Sequence, residues 1–185
     1  MRIEEFNHLK GKVLWLMGPT SSGKTTIGNE LVHRLRQSDL CVIFYDGDEI
    51  RDLMGPDLGF EAIDRLKVVK TIVYLANKAA SANMFVVVAA LTANQDAREY
   101  VTKHVSKLIL GYIKCDIQIC AHRDPKGLYQ KAKEGKINTL PGYNSVYRPP
   151  DQYDIELNTE EKGLEVVLEE LMQFLRTSRI EYQDI

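Results

Sequence analysis

The chain has 185 residues, with 24 Lys plus Arg against 26 Asp plus Glu and a formal net charge of −2. That length suits one α/β domain with a sizeable core and leaves little room for a second, and the near-neutral balance supplies no general field toward nucleic acid or an anionic membrane. No run approaches the roughly eighteen uninterrupted apolar residues of a membrane span, and Met1 to Lys10 carries charges where a signal peptide would be apolar, so a cytoplasmic protein is expected.

Lys12 to Met17 is a short, mostly apolar run suited to a buried strand, and Thr25 to Arg36 reads as a helix with Ile27, Leu31 and Leu35 on one face. Between them, Gly18-Pro19-Thr20-Ser21-Ser22-Gly23-Lys24-Thr25 has the G-x-x-x-x-G-K-[ST] spacing of a phosphate-binding loop. Glycines at both ends let the backbone turn tightly and aim its N–H groups at phosphate oxygens. Lys24 adds a mobile positive charge, and the Thr25 hydroxyl stands at the helix mouth, where it can ligate Mg²⁺. Strand, loop and helix are the setting this chemistry needs.

Leu40 to Tyr45 is a second strand, ending in Asp46-Gly47-Asp48. Acids at the carboxyl end of a strand sit where open α/β sheets bind ligands, while a turn with Asp48 capping the next short helix is the plain structural alternative. Leu53 to Phe60 is a loop by its Gly55, Pro56 and Gly59, which leaves Phe60 poorly placed for core packing. Glu61 to Ala82 is the longest helical pattern, with Ile63, Leu66, Val69, Val73 and Ala76 on the buried stripe and Arg65 off it, solvated or aimed at a cleft. Met84 to Ala90 reads as a central parallel strand. It ends without the Asp that many P-loop ATPases place there for magnesium, which leaves that task to Asp46.

A helix near Asp96 to His104 and a strand near Leu108 to Cys115 follow. Cys41, Cys115 and Cys120 are odd in number and lack C-x-x-C spacing, so buried thiols are expected rather than a disulfide or zinc site. His8, His33, His104 and His122 show no metal-site spacing. From Asp116 the chain reads as a short helix to Arg123, a basic helical stretch through Lys133, then a loop from Gly135 to Pro150. A loop this long in a small domain is usually functional or disordered; the cationic Arg123, Lys126, Lys131 and Lys133 before it suit a lid over phosphates, the plain alternative being a solvated charge run. Asp154 to Leu157 is a last strand. Asn158, with Glu161 three residues on, is expected to cap a terminal helix whose Leu164, Val167, Leu168, Leu171 and Leu175 face the core.

A GTPase would need a guanine-reading N-K-x-D element, and Asn77-Lys78-Ala79-Ala80 lacks the acid and lies mid-helix. A phosphate loop, an acid cluster after the second strand and a basic lid instead fit a kinase for a small hydroxyl compound, a reaction that asks for positioning, charge neutralisation and water exclusion.

The motifs Gly18 to Thr25, Asp46-Gly47-Asp48 with Arg51, Asp57-Leu58-Gly59-Phe60, Asp64-Arg65, and above all Arg123-Asp124-Pro125-Lys126-Gly127-Leu128-Tyr129 with Lys131-Ala132, together resemble the adenylylsulfate (APS) kinase family, in order from about Lys12 to Thr159. The resemblance implies a P-loop kinase fold over 1–185, with a five-stranded parallel sheet, helices on both faces and a lid at about 123–150. It further implies ATP and Mg²⁺ as cofactors, a small nucleotide acceptor phosphorylated on its ribose 3′-hydroxyl, and a homodimer. Carried over, Gly18, Ser21, Ser22, Gly23, Lys24, Thr25, Thr26 and Arg123 would bind ATP; Thr25 and Asp46 would hold the metal; Lys24 and Asp46 would act in catalysis. Asp48, Arg51, Phe60, Arg65, Thr92, Asn138 and Leu140 would meet the acceptor, with Phe60 stacking on its base and the arginines clamping its anionic groups.

Departures from the family pattern lie on the acceptor side. Val68 replaces a substrate-contacting Asn, Asn138 a substrate-binding Lys, and Leu140 the second stacking aromatic, while Ala90-Leu91-Thr92-Ala93 stands for the usual F-I-S-P. Losing one aromatic face could weaken base binding by roughly 1–3 kcal/mol. The expected acceptor is APS, with cytidine diphosphoramidate, taken by a similar kinase of capsule modification, or a non-catalytic nucleotide-binding module as alternatives.

Overall fold

The computed structural model describes residues 3–178. Five strands, β1 (Val13–Met17), β2 (Val42–Asp46), β3 (Phe85–Ala89), β4 (Leu108–Lys114) and β5 (Ile155–Asn158), form one sheet in the order β2-β3-β1-β4-β5. Every neighbouring pair is parallel. The expected α/β fold with a five-stranded parallel sheet and helices on both faces is therefore what forms.

Parallel strands need crossovers, and the helices that supply them cover both faces. The successive residues of β1 show the result. Leu14 and Leu16 enter one apolar cluster with α1 (Lys24–Arg36) and the terminal helix α7 (Leu164–Thr177). Val13, Trp15 and Met17 enter the other, with α3 (Ala62–Ser81) and α4 (Gln95–His104). All five side chains of β1 are buried, as are all five of β3. A buried Leu, Val or Ile contributes about 1.5–3 kcal/mol of transfer free energy, so these two central strands hold the layers together.

The chain leaves β1 for the β2 edge, returns to β3 beside β1, then crosses to β4 on the other side. Where the winding reverses, the carboxyl ends of the strands open a crevice, the usual ligand position in such sheets. The phosphate-loop motif follows β1 at this reversal, and Asp46 ends β2 level with Ala89 of β3.

Several expectations are corrected here. Ile63 is 61% exposed, because it lies in the first turn of α3, and packing on the stripe begins with the partly buried Leu66 and the buried Val68. Leu164 opens α7 and is 38% exposed, whereas Val167, Leu168, Leu171 and Leu175 are buried as expected. Asn158 does not cap α7. Its Oδ1 accepts the backbone N–H groups of Glu160 and Glu161 in a turn, and Gly163 occupies the cap position without a side-chain bond. Cys41, just before the edge strand β2, is exposed, while Cys115 and Cys120 are buried.

The helices expected before the lid loop form, and 135–150 is loop as expected, with one isolated bridge. The helices are α5 (Ile117–Arg123), which ends where the lid begins, and α6 (Leu128–Lys133) within it, with α2 (Gly47–Leu53) and α3 lying across the cleft. Cys115, Cys120, Tyr129, Ala132 and Leu140 build a third apolar cluster of its own, backed by Ile117, Leu128 and Ile137. Within 135–150 the turn is closed by a bridge between Pro141 and Ser145, with Gly142 N–H donating to the Ser145 carbonyl at 2.8 Å.

Candidate active site

The phosphate loop is shaped by two glycines with different tasks. Gly23 has φ of +99°, a left-handed conformation open to glycine at little cost. Gly18 needs no such freedom; a β-carbon there would come within 2.6 Å of the Ile113 carbonyl oxygen, so glycine permits the loop to lie against β4. Ser21, at φ of +63°, carries the remaining strained turn. The loop is braced from outside by Thr159, whose hydroxyl donates to the Ser22 carbonyl at 3.0 Å, and by Tyr129, whose hydroxyl donates to the Thr20 carbonyl at 3.2 Å.

Lys24 folds back over this loop. Its Nζ donates to the carbonyls of Gly18 at 2.9 Å and Pro19 at 2.6 Å. The side chain is part-exposed to the cleft, yet the ammonium is enclosed, and burial pushes its pKa down to about 8 against the opposing pull of the Asp48 and Asp46 carboxylates. One residue on, the Thr25 hydroxyl donates to Asp46 Oδ2 at 2.6 Å. Asp46 is 3% exposed, and its Oδ1 accepts the Asp48 N–H at 2.8 Å. Asp46 is thus the N-cap of α2, and Asp48 stands in the first turn instead of capping it. The cap is supplied by Asp46 and not by Asp48, and the same Asp46 carboxylate faces the loop through Thr25.

These groups form the floor of a cleft of about 620 Å³. Ser21, Ser22, Gly23, Lys24, Thr25, Thr26 and Arg123 line its loop side, and Asp46, Asp48, Arg51, Phe60, Arg65, Thr92 and Leu140 also border it. Of the residues that the sequence assigns to donor, metal or acceptor, Gly18 and Asn138 do not line it, and of the four lid cations Lys131 and Lys133 do not, being exposed on α6. Gly18 is packed behind the loop, and Asn138 is exposed on the lid.

Opposite the loop, two arginines grip Phe60. The Arg51 guanidinium lies 4.7 Å from the Phe60 ring centroid and donates to the Gly59 carbonyl at 2.5 Å. Arg65 Nε donates to the Phe60 carbonyl at 2.9 Å, while its Nη2 donates to the Thr139 carbonyl of the lid at 2.8 Å. Burial draws both guanidinium groups down from the ordinary arginine range, and repulsion from Arg51 adds to this at Arg65. Two like charges held close enough to repel favour an anion between them. Phe60 itself stays 44% exposed, an aromatic face left open to the cleft.

Leu140 is 4% exposed because it belongs to the lid cluster while also bordering the cleft. Thr92 is buried, with its hydroxyl accepting the Trp15 indole N–H at 2.9 Å. Lys126 of the lid pairs with Asp48 at 2.5 Å, joining the cationic segment to the acids after β2. Arg123 Nη2 donates to the Thr159 carbonyl at 2.5 Å.

The sequence did not single out Thr159, Lys162, Gly163 and Leu164 as lining residues, yet they border the same cleft beyond Arg123. Their position after β5, at the carboxyl edge of the sheet, is the signal that could have found them. It also explains why Leu164 stays partly exposed.

The donor set suits magnesium. A hydroxyl and one carboxylate at the mouth of α1 are hard oxygen ligands, and no group of three or more His, Cys, Asp or Glu that could cage a metal occurs among the described residues. Magnesium in kinase sites characteristically takes one or two carboxylates plus substrate phosphates, not an all-protein cage.

Residues 10–158 match the family described as adenylylsulphate kinase. A probable adenylyl-sulfate kinase of Bacillus subtilis is 34% identical over 175 residues, covering 94% of this chain and 89% of that protein. An adenylyl-sulfate kinase of Clostridium acetobutylicum is 30% identical over 92% of this chain and 86% of its own length. Among solved structures, the Mycobacterium tuberculosis APS kinase in complex with AMPPNP and APS superposes with a TM-score of 0.84 at 26% identity, covering 91% of this chain and 99% of that one. Shikimate kinase from Aquifex aeolicus, at 20% identity and a TM-score of 0.54 over 88% of this chain and 95% of its own, shares the fold.

Proposed function

The chain belongs to the adenylylsulphate kinase family, and from that premise we propose that it transfers the γ-phosphoryl group of ATP to the ribose 3′-hydroxyl of adenylyl sulfate. The observation that carries this reading is one cleft holding both halves of such a reaction: the Lys24 loop with the Thr25–Asp46 pair on its floor, and Phe60 between Arg51 and Arg65 opposite. Residues 1–185 act as one P-loop kinase unit in this reading, as a cytoplasmic homodimer.

The roles follow from the chemistry of each side chain. Backbone N–H groups from Ser21 to Thr25 bind the donor phosphates at the N-terminus of α1, where the helix dipole adds to the attraction. Lys24 exchanges its two carbonyl partners for phosphate oxygens, regaining the charge that the enclosed site disfavours. Thr25 and Asp46 would hold magnesium, which would supply charge neutralisation to the phosphate oxygens. Asp46, fixed by the N–H of Asp48, also stands ready to accept the proton of the attacking hydroxyl. Arg51 and Arg65 clamp the acceptor's phosphate and sulfate, and the open face of Phe60 takes its base, a stacking worth about 1–3 kcal/mol. Arg123 borders the donor side, and closing the lid excludes water that would otherwise hydrolyse ATP.

Incubation with ATP, magnesium and APS, following ADP release and formation of the 3′-phosphorylated product, tests the reading. Saturable turnover of APS is expected. ATP binding without turnover of APS would overturn it, and turnover with cytidine diphosphoramidate in its place would relocate the acceptor while keeping the chemistry.

A further inference from the structure

Arg98 is a charged side chain that the phosphoryl-transfer reading leaves unused. It lies on α4 and is 9% exposed. Its Nε donates to the Thr92 carbonyl at 2.9 Å, its Nη1 to the Pro149 carbonyl at 2.9 Å, and its Nη2 to the Arg148 carbonyl. The guanidinium also lies 5.8 Å from the Tyr147 ring centroid, within cation–π reach. One planar fork therefore holds two separate segments, the turn after β3 and the far end of the 135–150 segment.

Both segments bear on the cleft. Thr92 lines it and has φ of +42°, a left-handed conformation that a β-branched residue adopts only when its surroundings impose it. Two bonds impose it here, the Trp15 indole on the hydroxyl and Arg98 on the carbonyl. The 135–150 segment carries Leu140 at one end of the same cleft and, through Thr139, the carbonyl that Arg65 holds. Arg65 thus fastens the lid near its tip and Arg98 fastens it at its return.

We propose that Arg98 is a positioning residue for the acceptor: its three-way grip sets the Thr92 turn and the lid's return in one register, so that the acceptor wall and the lid meet across the bound nucleotide. The inference rests on the acceptor site assigned above. Lysine cannot substitute, since a point ammonium on a flexible stem lacks the planar set of donors that reaches three carbonyls in two segments. The donor side is built on other elements, α1 and the turn after β5, so its affinity does not depend on this fork.

Two variants, Arg98→Lys and Arg98→Gln, test the proposal in the full-length protein. With APS as acceptor, the expected result is an acceptor KM raised about tenfold or more, equivalent to about 1.4 kcal/mol of lost binding, with the KM for ATP within about twofold of the parent. Equal rises in both KM values, or an unchanged acceptor KM, would overturn it. A second readout does not need the acceptor's identity: amide hydrogen exchange should accelerate together at 90–94 and 145–148, with 18–25 unchanged. If the parent protein does not turn over APS, the function reading fails while exchange still decides the positioning role. Independent behaviour of the two segments would overturn that role. Should Arg98→Lys not fold, Arg98→Gln, which keeps one planar donor, carries both measurements.

Discussion

Asp46 and Lys24 meet at the phosphate loop with opposite electrostatic tasks, and each makes a measurable prediction. Asp46 contributes a carboxylate 2.6 Å from the Thr25 hydroxyl, on the floor of the cleft. Asp46→Ala is expected to remove turnover by about 10²–10⁴-fold, the range of a lost general base, with binding of ATP without metal within a few-fold of the parent by calorimetry. Retained turnover would show that another group does this work. Lys24 is held as an enclosed ammonium with its pKa at about 8, lowered by burial from an ordinary value of 10.5. Below pH 8 both folded and unfolded chains carry this proton, and the cost of the buried charge is felt in full. Between about 8 and 10.5 the folded chain releases it first, so Lys24's own contribution to stability rises with pH across that window. Triphosphate binding reverses the preference. Near pH 8.5, binding of ATP should therefore take up protons, seen as a heat that varies with the buffer's ionisation enthalpy; the same heat in Lys24→Met would assign the uptake elsewhere.

At the scale of elements, what the sequence reveals depends on whether a contact is encoded by residue type or by backbone. The loop was legible because its function is local: Gly23 needs a positive φ, and Lys24 and Thr25 follow at fixed spacing. Phe60 was legible through its misfit, an aromatic in a Gly- and Pro-rich loop, and the structure leaves it open to the cleft. Arg98 gave no signal because its acceptors are backbone carbonyls 6, 51 and 50 residues away, and any residue type supplies a carbonyl. Asn158 misled for a related reason: its side chain serves the turn next to it, and the helix begins six positions later, at Leu164, a choice the capping pattern does not resolve. The helix and the loop of the lid were legible, but not that Tyr129, Ala132 and Leu140 give it an apolar cluster separate from those on the sheet. Leu140→Ala should therefore loosen the lid alone. Exchange at 128–145 is expected to quicken by an opening cost of about 2 kcal/mol, the low end for a buried leucine, while amides of β1 keep their protection. A fall in protection at β1 as large as at the lid would show that the lid is part of the main core.

Taken as a whole, the molecule places two chemically different walls on one cleft by winding its sheet outward from β1 in both directions. The wall from α1, α5 and the turn after β5 carries Lys24, Thr25, Arg123 and Lys162; the wall from α2, α3 and the turn after β3 carries Phe60, Arg51 and Arg65. The lid is bonded to both, to the loop through Tyr129 and Thr20, to the acids through Lys126 and Asp48, and to α3 through Arg65 and Thr139. The exposed Lys126–Asp48 pair adds only about 0–1 kcal/mol to stability, so it sets lid position more than it holds the fold. Since the lid touches the loop directly, occupying the loop should order the lid before any acceptor arrives. At a hundredfold excess over its Kd, AMPPNP should stabilise the protein by about 2.7 kcal/mol. That corresponds to about 5–10 °C in Tm for a domain of this size. The same addition should protect lid amides at 128–145, and Lys24→Met should lose both effects. A rise in Tm without lid protection would show that donor binding and lid closure are separate events, and that the acceptor, meeting Arg65 and Phe60, is what draws the lid shut.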